Sequence, residues 1–197
     1  MNYVKLRDID KLYFGYEELS RVLGVKPGSA RVIACRYVKN GFLLRLKRNM
    51  YILMDRWQAL SPEDRFALAN IVQVPSYISL MTAMGYYGIT TQMQRDFIES
   101  VATRRTKEIK VENTLLNYTK IDKKLYFGFV RLKGYFIATP EKAFMDALYL
   151  KTLKRYAFDL SSIDFAKLDK RNLKTVSDKF PLSVKKELGK YGYFKAA

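Results

Sequence analysis

Three residues could between them hold a metal ion and a water molecule: Asp96, and then Glu108 and Lys110 in the run "TKEIK". In magnesium-dependent nucleases two carboxylates bind the metal, and a lysine orients or deprotonates the attacking water. That constellation is the whole of the chain's prospect for acid–base chemistry. There is no histidine, which removes the usual metal ligand and general base. A single cysteine, Cys35, rules out an internal disulfide and a cysteine-based zinc site. Glu-x-Lys also arises on any strand whose outward positions carry charge, and "TRRTKEIK" reads as a charged hairpin. The expectation is a protein that is no enzyme and needs no cofactor or metal, with a nuclease on Asp96, Glu108 and Lys110 as the alternative.

A different chemistry, the binding of phosphate and base edges, is written into residues 27–41, "PGSARVIACRYVKNG". Ala30, Ile33, Ala34, Tyr37 and Val38 recur at i, i+3, i+4, i+7 and i+8, the inward stripe of a helix. Ser29, Arg31, Val32, Cys35, Arg36 and Lys39 then fall on the other side. Free N–H groups and a hydroxyl at Ser29, near the helix start, suit a phosphate. Arg31 and Val32 sit where a recognition helix reaches base edges, and arginine can engage guanine O6 and N7 together. Arg36 and Lys39, further along, suit the backbone. Cys35 is read as a small residue near DNA. Directly afterwards "FLLRLKRNMYIL" (42–53) predicts a β-hairpin whose tip is Lys47-Arg48-Asn49, with Arg45 and Lys47 outward and Leu44 and Leu46 inward. The candidate contacts with double-stranded DNA are Ser29, Arg31, Val32, Arg36, Lys39, Arg45, Lys47, Arg48 and Asn49.

The rest of the chain must hold that surface. Its 197 residues carry 36 Lys and Arg against 19 Asp and Glu, a formal charge of +17 that points to a polyanionic partner. A basic module that docks an acidic protein is the bland reading of the same charge. Hydrophobic residues make up 49%, enough for packed cores. Helices are predicted over 4–12 and 16–25, the second stopped by Gly24. With the 27–41 helix and the hairpin, this is the order of a winged helix-turn-helix over residues 1–56. Beyond it, 57–197 reads as an α+β domain. Ser61 and Pro62 open a helix over 62–72, with Phe66, Ala69 and Ile71 inward. A compact apolar helix follows at 79–90, ended by Gly88. Strands are predicted at 96–103, 109–118, 125–132 and 134–138, forming a small, mostly antiparallel sheet. A helix over 138–156 is capped by Thr139, with Pro140 first and Phe144, Leu148 and Leu153 on its stripe. Runs at 162–176 and 181–191 complete a C-terminal helical cluster. No stretch approaches the ~18 apolar residues of a membrane span, and the N-terminus lacks an apolar leader, so a cytoplasmic protein is expected.

The succession "YEELSRVLGV … ARVIACRYVKNGFLLRLKRNMYIL", "PSYISLMTAMGYYGIT" and "KGYFIATPEKAFMDALYL" resembles the AbiEi family, the antitoxins of AbiE abortive-infection toxin–antitoxin systems. The matching pieces are a winged helix ending in a basic hairpin, a helix with small Ala and Gly residues, and "TPEKAFMDAL" where the family tends to show "PERTLVD". The likeness spans about 150 residues and stops near residue 157. It implies a transcriptional regulator that represses its own operon by binding inverted repeats in the promoter, and an antitoxin domain that counteracts a nucleotidyltransferase-type toxin. The lysine-rich stretch with Lys120, Lys123, Lys124, Arg131 and Lys133 would extend DNA contact, meet an acidic partner, or stay solvated.

Overall fold

A computed structural model describes residues 2–92 and 95–190. The chain is mixed α and β and divides into two compact units, residues 1–65 with 109–113, and residues 66–108 with 114–197.

In the first unit a 3-10 helix over Asn2–Asp8 stands where a longer helix over 4–12 was expected. Leu6 on it and Ile9 just past its end are buried, three residues apart. Helix α1 (Tyr16–Leu23) stops at Gly24, which takes the left-handed backbone with φ 65° that glycine adopts without a Cβ penalty. Helix α2 (Pro27–Lys39) begins with proline at its first position, where a missing N–H costs nothing. Strands β1 (Leu43–Lys47) and β2 (Met50–Leu53) pair antiparallel, and a bulge between Arg45 and Lys47 interrupts the ladder. Phe14 exchanges both backbone hydrogen bonds with Tyr51 at 2.9 Å, adding a one-residue third rung beside β2. Leu6, Ile9, Phe14, Leu19, Ala30, Ala34, Tyr37, Leu43, Tyr51 and Leu53 form one core. The expected boundary at residue 56 falls inside a short helix, α3 (Met54–Gln58), which buries Trp57 under the Arg65 guanidinium at 5.4 Å.

Helix α4 (Pro62–Val72) begins in the first unit, where the Ser61 hydroxyl caps the Asp64 N–H at 3.1 Å, and from Phe66 on belongs to the second. Phe66 and Ala69 are buried with Leu68 and Val72, while Ile71 is half-buried. A strand absent from the expectation, β3 (Ser76–Ile78), precedes a shorter helix, α5 (Leu80–Tyr86). Then come β4 (Phe97–Ala102), β5 (Lys107–Val111), β6 (Thr114–Lys120), β7 (Phe129–Leu132) and β8 (Tyr135–Ala138). The single strand expected over 109–118 is broken, because Glu112 turns the chain with φ 53°. The sheet runs β5-β6-β4-β3-β8-β7. It is mixed: β3–β4 and β7–β8 pair antiparallel, while β4–β6 and β3–β8 are parallel, with β5 lying in sequence between β4 and β6. Helix α6 (Pro140–Thr152) starts as its capping residues dictate, Thr139 accepting from the Lys142 N–H at 3.4 Å. Leu153, assigned to its apolar stripe, lies past the helix end and is exposed. Helices α7 (Lys170–Ser177) and α8 (Leu182–Gly189) close the described chain.

Candidate nucleic-acid interface

Helix α2 separates its residues by face. Ala30, Ala34 and Tyr37 are buried, and Ile33 and Val38 are half-buried. Ser29, Arg31, Val32, Cys35, Arg36 and Lys39 are all exposed. Ser29 is the third residue of the helix, and the chain there carries no acidic residue to compete for an anion. On the hairpin Arg45, Lys47 and Arg48 are exposed while Leu46 is buried. Leu44 is only half-buried, because the bulge after Arg45 upsets strict alternation.

The counter-charges lie elsewhere. From Leu19 to Met54 there are eight basic residues and no acidic one. Within residues 1–56 the carboxylates sit on the 3-10 helix, the loop after it, α1 and α3, and two of them engage cations there: Asp55 with Arg7 at 3.0 Å and Glu18 with Lys11 at 2.6 Å. The Lys11 hydrogen bond, helped by backbone N–H groups, holds the Glu18 carboxyl down at about 2. Arg56 is also consumed internally, its guanidinium donating to the carbonyls of Ile9 (2.7 Å), Lys11 and Arg7. Among the described residues no ion pair engages Arg31, Arg36, Lys39, Arg45 or Arg48.

Asn49 differs from its neighbours at the tip. Its backbone is left-handed, φ 55°, which asparagine tolerates better than most residues. Its side-chain oxygen accepts from the Tyr16 N–H at 2.7 Å and its amide donates to Glu17 at 3.3 Å. Gly15 permits this approach, since a Cβ there would lie 3.0 Å from the Asn49 oxygen and 2.8 Å from Glu17. Asn49 thus caps α1 from the hairpin, a role that its place in "KRN" did not disclose.

The metal constellation is not assembled. Asp96 leads into β4 and Glu108 lies on β5, both exposed, with β6 between those strands. Two strand spacings amount to roughly 10 Å. Among the described residues no group of three or more carboxylate, cysteine or histidine side chains could hold a metal ion.

The second unit contains a polar cluster that the sequence reading missed. Lys142 and Asp146, one helical turn apart on α6, form an ion pair with both side chains 0% exposed. Tyr77 and Ser79 donate to the other Asp146 oxygen at 2.8 and 2.9 Å. The ammonium lies over the rings of Phe127 and Phe180, 4.9 and 5.0 Å from their centres. Burial pushes Lys142 down and Asp146 up, and the attraction between them opposes both shifts. Glu99 on β4 is also buried. It accepts from the Met81 N–H and the Tyr156 hydroxyl, both at 3.0 Å, and burial raises its carboxyl to about 7. Lys142, Asp146 and Glu99 themselves are buried, at most 1% exposed, and each is held by partners within the fold. The available signal was a charged pair at i, i+4 in a helix whose other charges, Glu141 and Lys151, lie in its first and last turns.

No family model matches the chain, and no curated protein does. Among solved structures it is similar to the RV2827C protein from Mycobacterium tuberculosis. The TM-score is 0.57 at 11% identity, over 92% of this chain and 71% of that one. At this identity the likeness is one of fold. Among the described residues no helix is long and apolar enough to cross a membrane.

Proposed function

We propose that this protein is a sequence-specific DNA-binding transcriptional regulator. In this reading the first unit is a winged helix-turn-helix: α1 positions α2, α2 enters the major groove, and the β1–β2 hairpin follows the phosphates as the wing. The observation that carries it is the surface of α2 and the hairpin, where the cations are exposed and no acidic residue occurs between Leu19 and Met54. Exposed cations gathered on one surface repel one another, and a polyanion relieves that repulsion. The bridge of Phe14 to Tyr51 supports the same reading, because it gives the hairpin a short third strand preceding α1. Asn49 stays with α1, leaving Ser29, Arg31, Val32, Arg36, Lys39, Arg45, Lys47 and Arg48 as the contact set. By its resemblance to AbiEi antitoxins, the protein represses its own operon at inverted repeats. In the same reading the second unit counteracts a nucleotidyltransferase-type toxin, in the cytoplasm.

Binding to the DNA upstream of its own gene, followed by fluorescence anisotropy, tests the first part. The log–log salt slope should rise by about 0.9 for each neutralised phosphate. Arg31→Ala should cost roughly 1–3 kcal/mol and relax base preference, whereas Lys47→Ala should weaken all sequences alike. Unchanged affinity and preference in both variants would overturn the reading. A neighbouring nucleotidyltransferase gene whose toxicity this chain relieves on co-expression would establish the antitoxin part; its absence leaves a regulator.

A further inference from the structure

Helix α2 turns by about 100° per residue, so Gly28, Val32, Cys35 and Lys39 follow one another at i, i+4, i+7 and i+11. That row stands diametrically opposite the buried Ala30, Ala34 and Tyr37, and is the part of α2 that would penetrate deepest into a groove. Apart from Lys39 at its far end, the row is small and uncharged. Gly28 has no Cβ, and nothing lies within 4 Å of where one would be. Val32 is 52% exposed, and Cys35 is exposed with a free thiol. The cations flank the row, Arg31 on one side and Arg36, beside Ser29, on the other. Val32 therefore presents an isopropyl group to solvent in the middle of the most basic helix of the first unit.

Resting on the duplex reading above, we infer that this ridge recognises the 5-methyl group of thymine through Val32. The methyl is the only apolar group on the floor of the major groove, and an isopropyl side chain can meet it but can make no hydrogen bond to the other base edges. Gly28 and the thiol of Cys35 keep the ridge low on either side, so Val32 reaches the floor before its neighbours strike the walls. The flanking Arg31 and Arg36 are then within a side chain's length of the guanine edges and phosphates that border the contact. Val32 is a specificity-determining residue in this scheme, and its contribution appears only where thymine lies beneath it.

The test uses the full chain and a duplex that it selects from a randomised DNA library. That duplex is resynthesised with deoxyuridine in place of thymine, one position at a time, which removes the methyl and leaves base pairing intact. At one position per half-site the wild type should lose roughly fourfold in affinity, the size of one buried methyl group. Val32→Ala should lose a similar factor on the thymine duplex and show no further loss on the deoxyuridine duplex. Val32 is exposed, so this variant should fold normally, as its circular dichroism and melting curve will report. Equal wild-type affinity for thymine and deoxyuridine at every position, or an unchanged ratio in Val32→Ala, would overturn the methyl contact while leaving duplex binding intact. Failure to bind any duplex at low salt would overturn both readings together.

Discussion

Helix α2 and helix α6 use cations in opposite ways. On α2, Arg31, Arg36 and Lys39 are solvated and carry no carboxylate partner among the described residues. On α6, Lys142 is enclosed completely and its charge is met by Asp146 and aromatic faces. A buried cation pays a desolvation cost that only fixed partners offset, so its position is settled by the fold. A solvated one pays almost nothing, and so remains available to a ligand. Charge that stabilises the molecule and charge that can bind something else are thus told apart by partners, not by residue type.

The sharpest way to break this contrast is at α6. Asp146→Ala leaves the Lys142 ammonium buried and uncompensated, and should destabilise the protein by about 3–5 kcal/mol. Urea denaturation should show much of that loss recovered in the double variant Lys142→Met, Asp146→Leu, since an apolar pair of similar volume is tolerated where half an ion pair is not. If Asp146→Ala melted like the wild type, the pair would not be holding α6 to β3.

Glu99 gives the next largest effect. Its carboxyl is raised from 4.5 to about 7 in the folded chain, so the native state binds its proton more tightly than the unfolded state. Its contribution to stability is therefore complete below pH 4.5 and is lost as pH rises through about 7. At about 1.4 kcal/mol per unit the difference across that window is about 3 kcal/mol. Glu99→Gln keeps an acceptor for Met81 and Tyr156 and should flatten the dependence; parallel pH–stability curves for the two proteins would refute the assignment.

Asn49 links the two themes within the first unit. Asn49→Ala removes the hairpin's bond to the Tyr16 N–H and puts alanine at φ 55°, and should cost about 1–2 kcal/mol, the range of a lost helix cap. Asn49→Gly relieves the backbone and should cost less, a difference that thermal melts can resolve. The smallest effect is expected on α2 itself. Arg31→Ala combined with Arg36→Ala should change stability by no more than about 0.5 kcal/mol, because neither residue has an internal ion-pair partner. A larger loss would mean that these arginines belong to the fold.

Where structure depended on neighbours a few residues away, it could be read from the chain. The stripe of Ala30, Ala34 and Tyr37, the stop at Gly24, the Ser61 cap and the Thr139–Pro140 start all rest on contacts within one or two helical turns. What could not be read rests on distant partners. Asp146 meets Tyr77 and Ser79, which lie 69 and 67 residues away in sequence. Within "EKAFMDALYL" only the i, i+4 spacing of Lys142 and Asp146 hints that every residue from Glu141 to Leu148 is buried, so its charges pass for a solvated face. Strand β3 escaped notice because three residues are too few to show alternation. On the proposed DNA surface, the exposure of Ser29, Arg31, Val32, Arg36 and Lys39 followed from periodicity. The diversion of Asn49 to α1 did not, since its partners Tyr16 and Glu17 lie more than thirty residues upstream.

The parallel pairing of β3 with β8 also governs the order in which the protein can assemble during synthesis. Ile78 finds its strand partner only at Ile137, and Tyr77 and Ser79 find theirs only at Asp146. On a translating ribosome the middle of the sheet must wait for some sixty more residues to emerge, whereas Ala30, Ala34, Tyr37 and the hairpin have their partners almost as soon as they are made. The core of the first unit that holds α2 and the hairpin is thus complete while much of the second unit is still being translated.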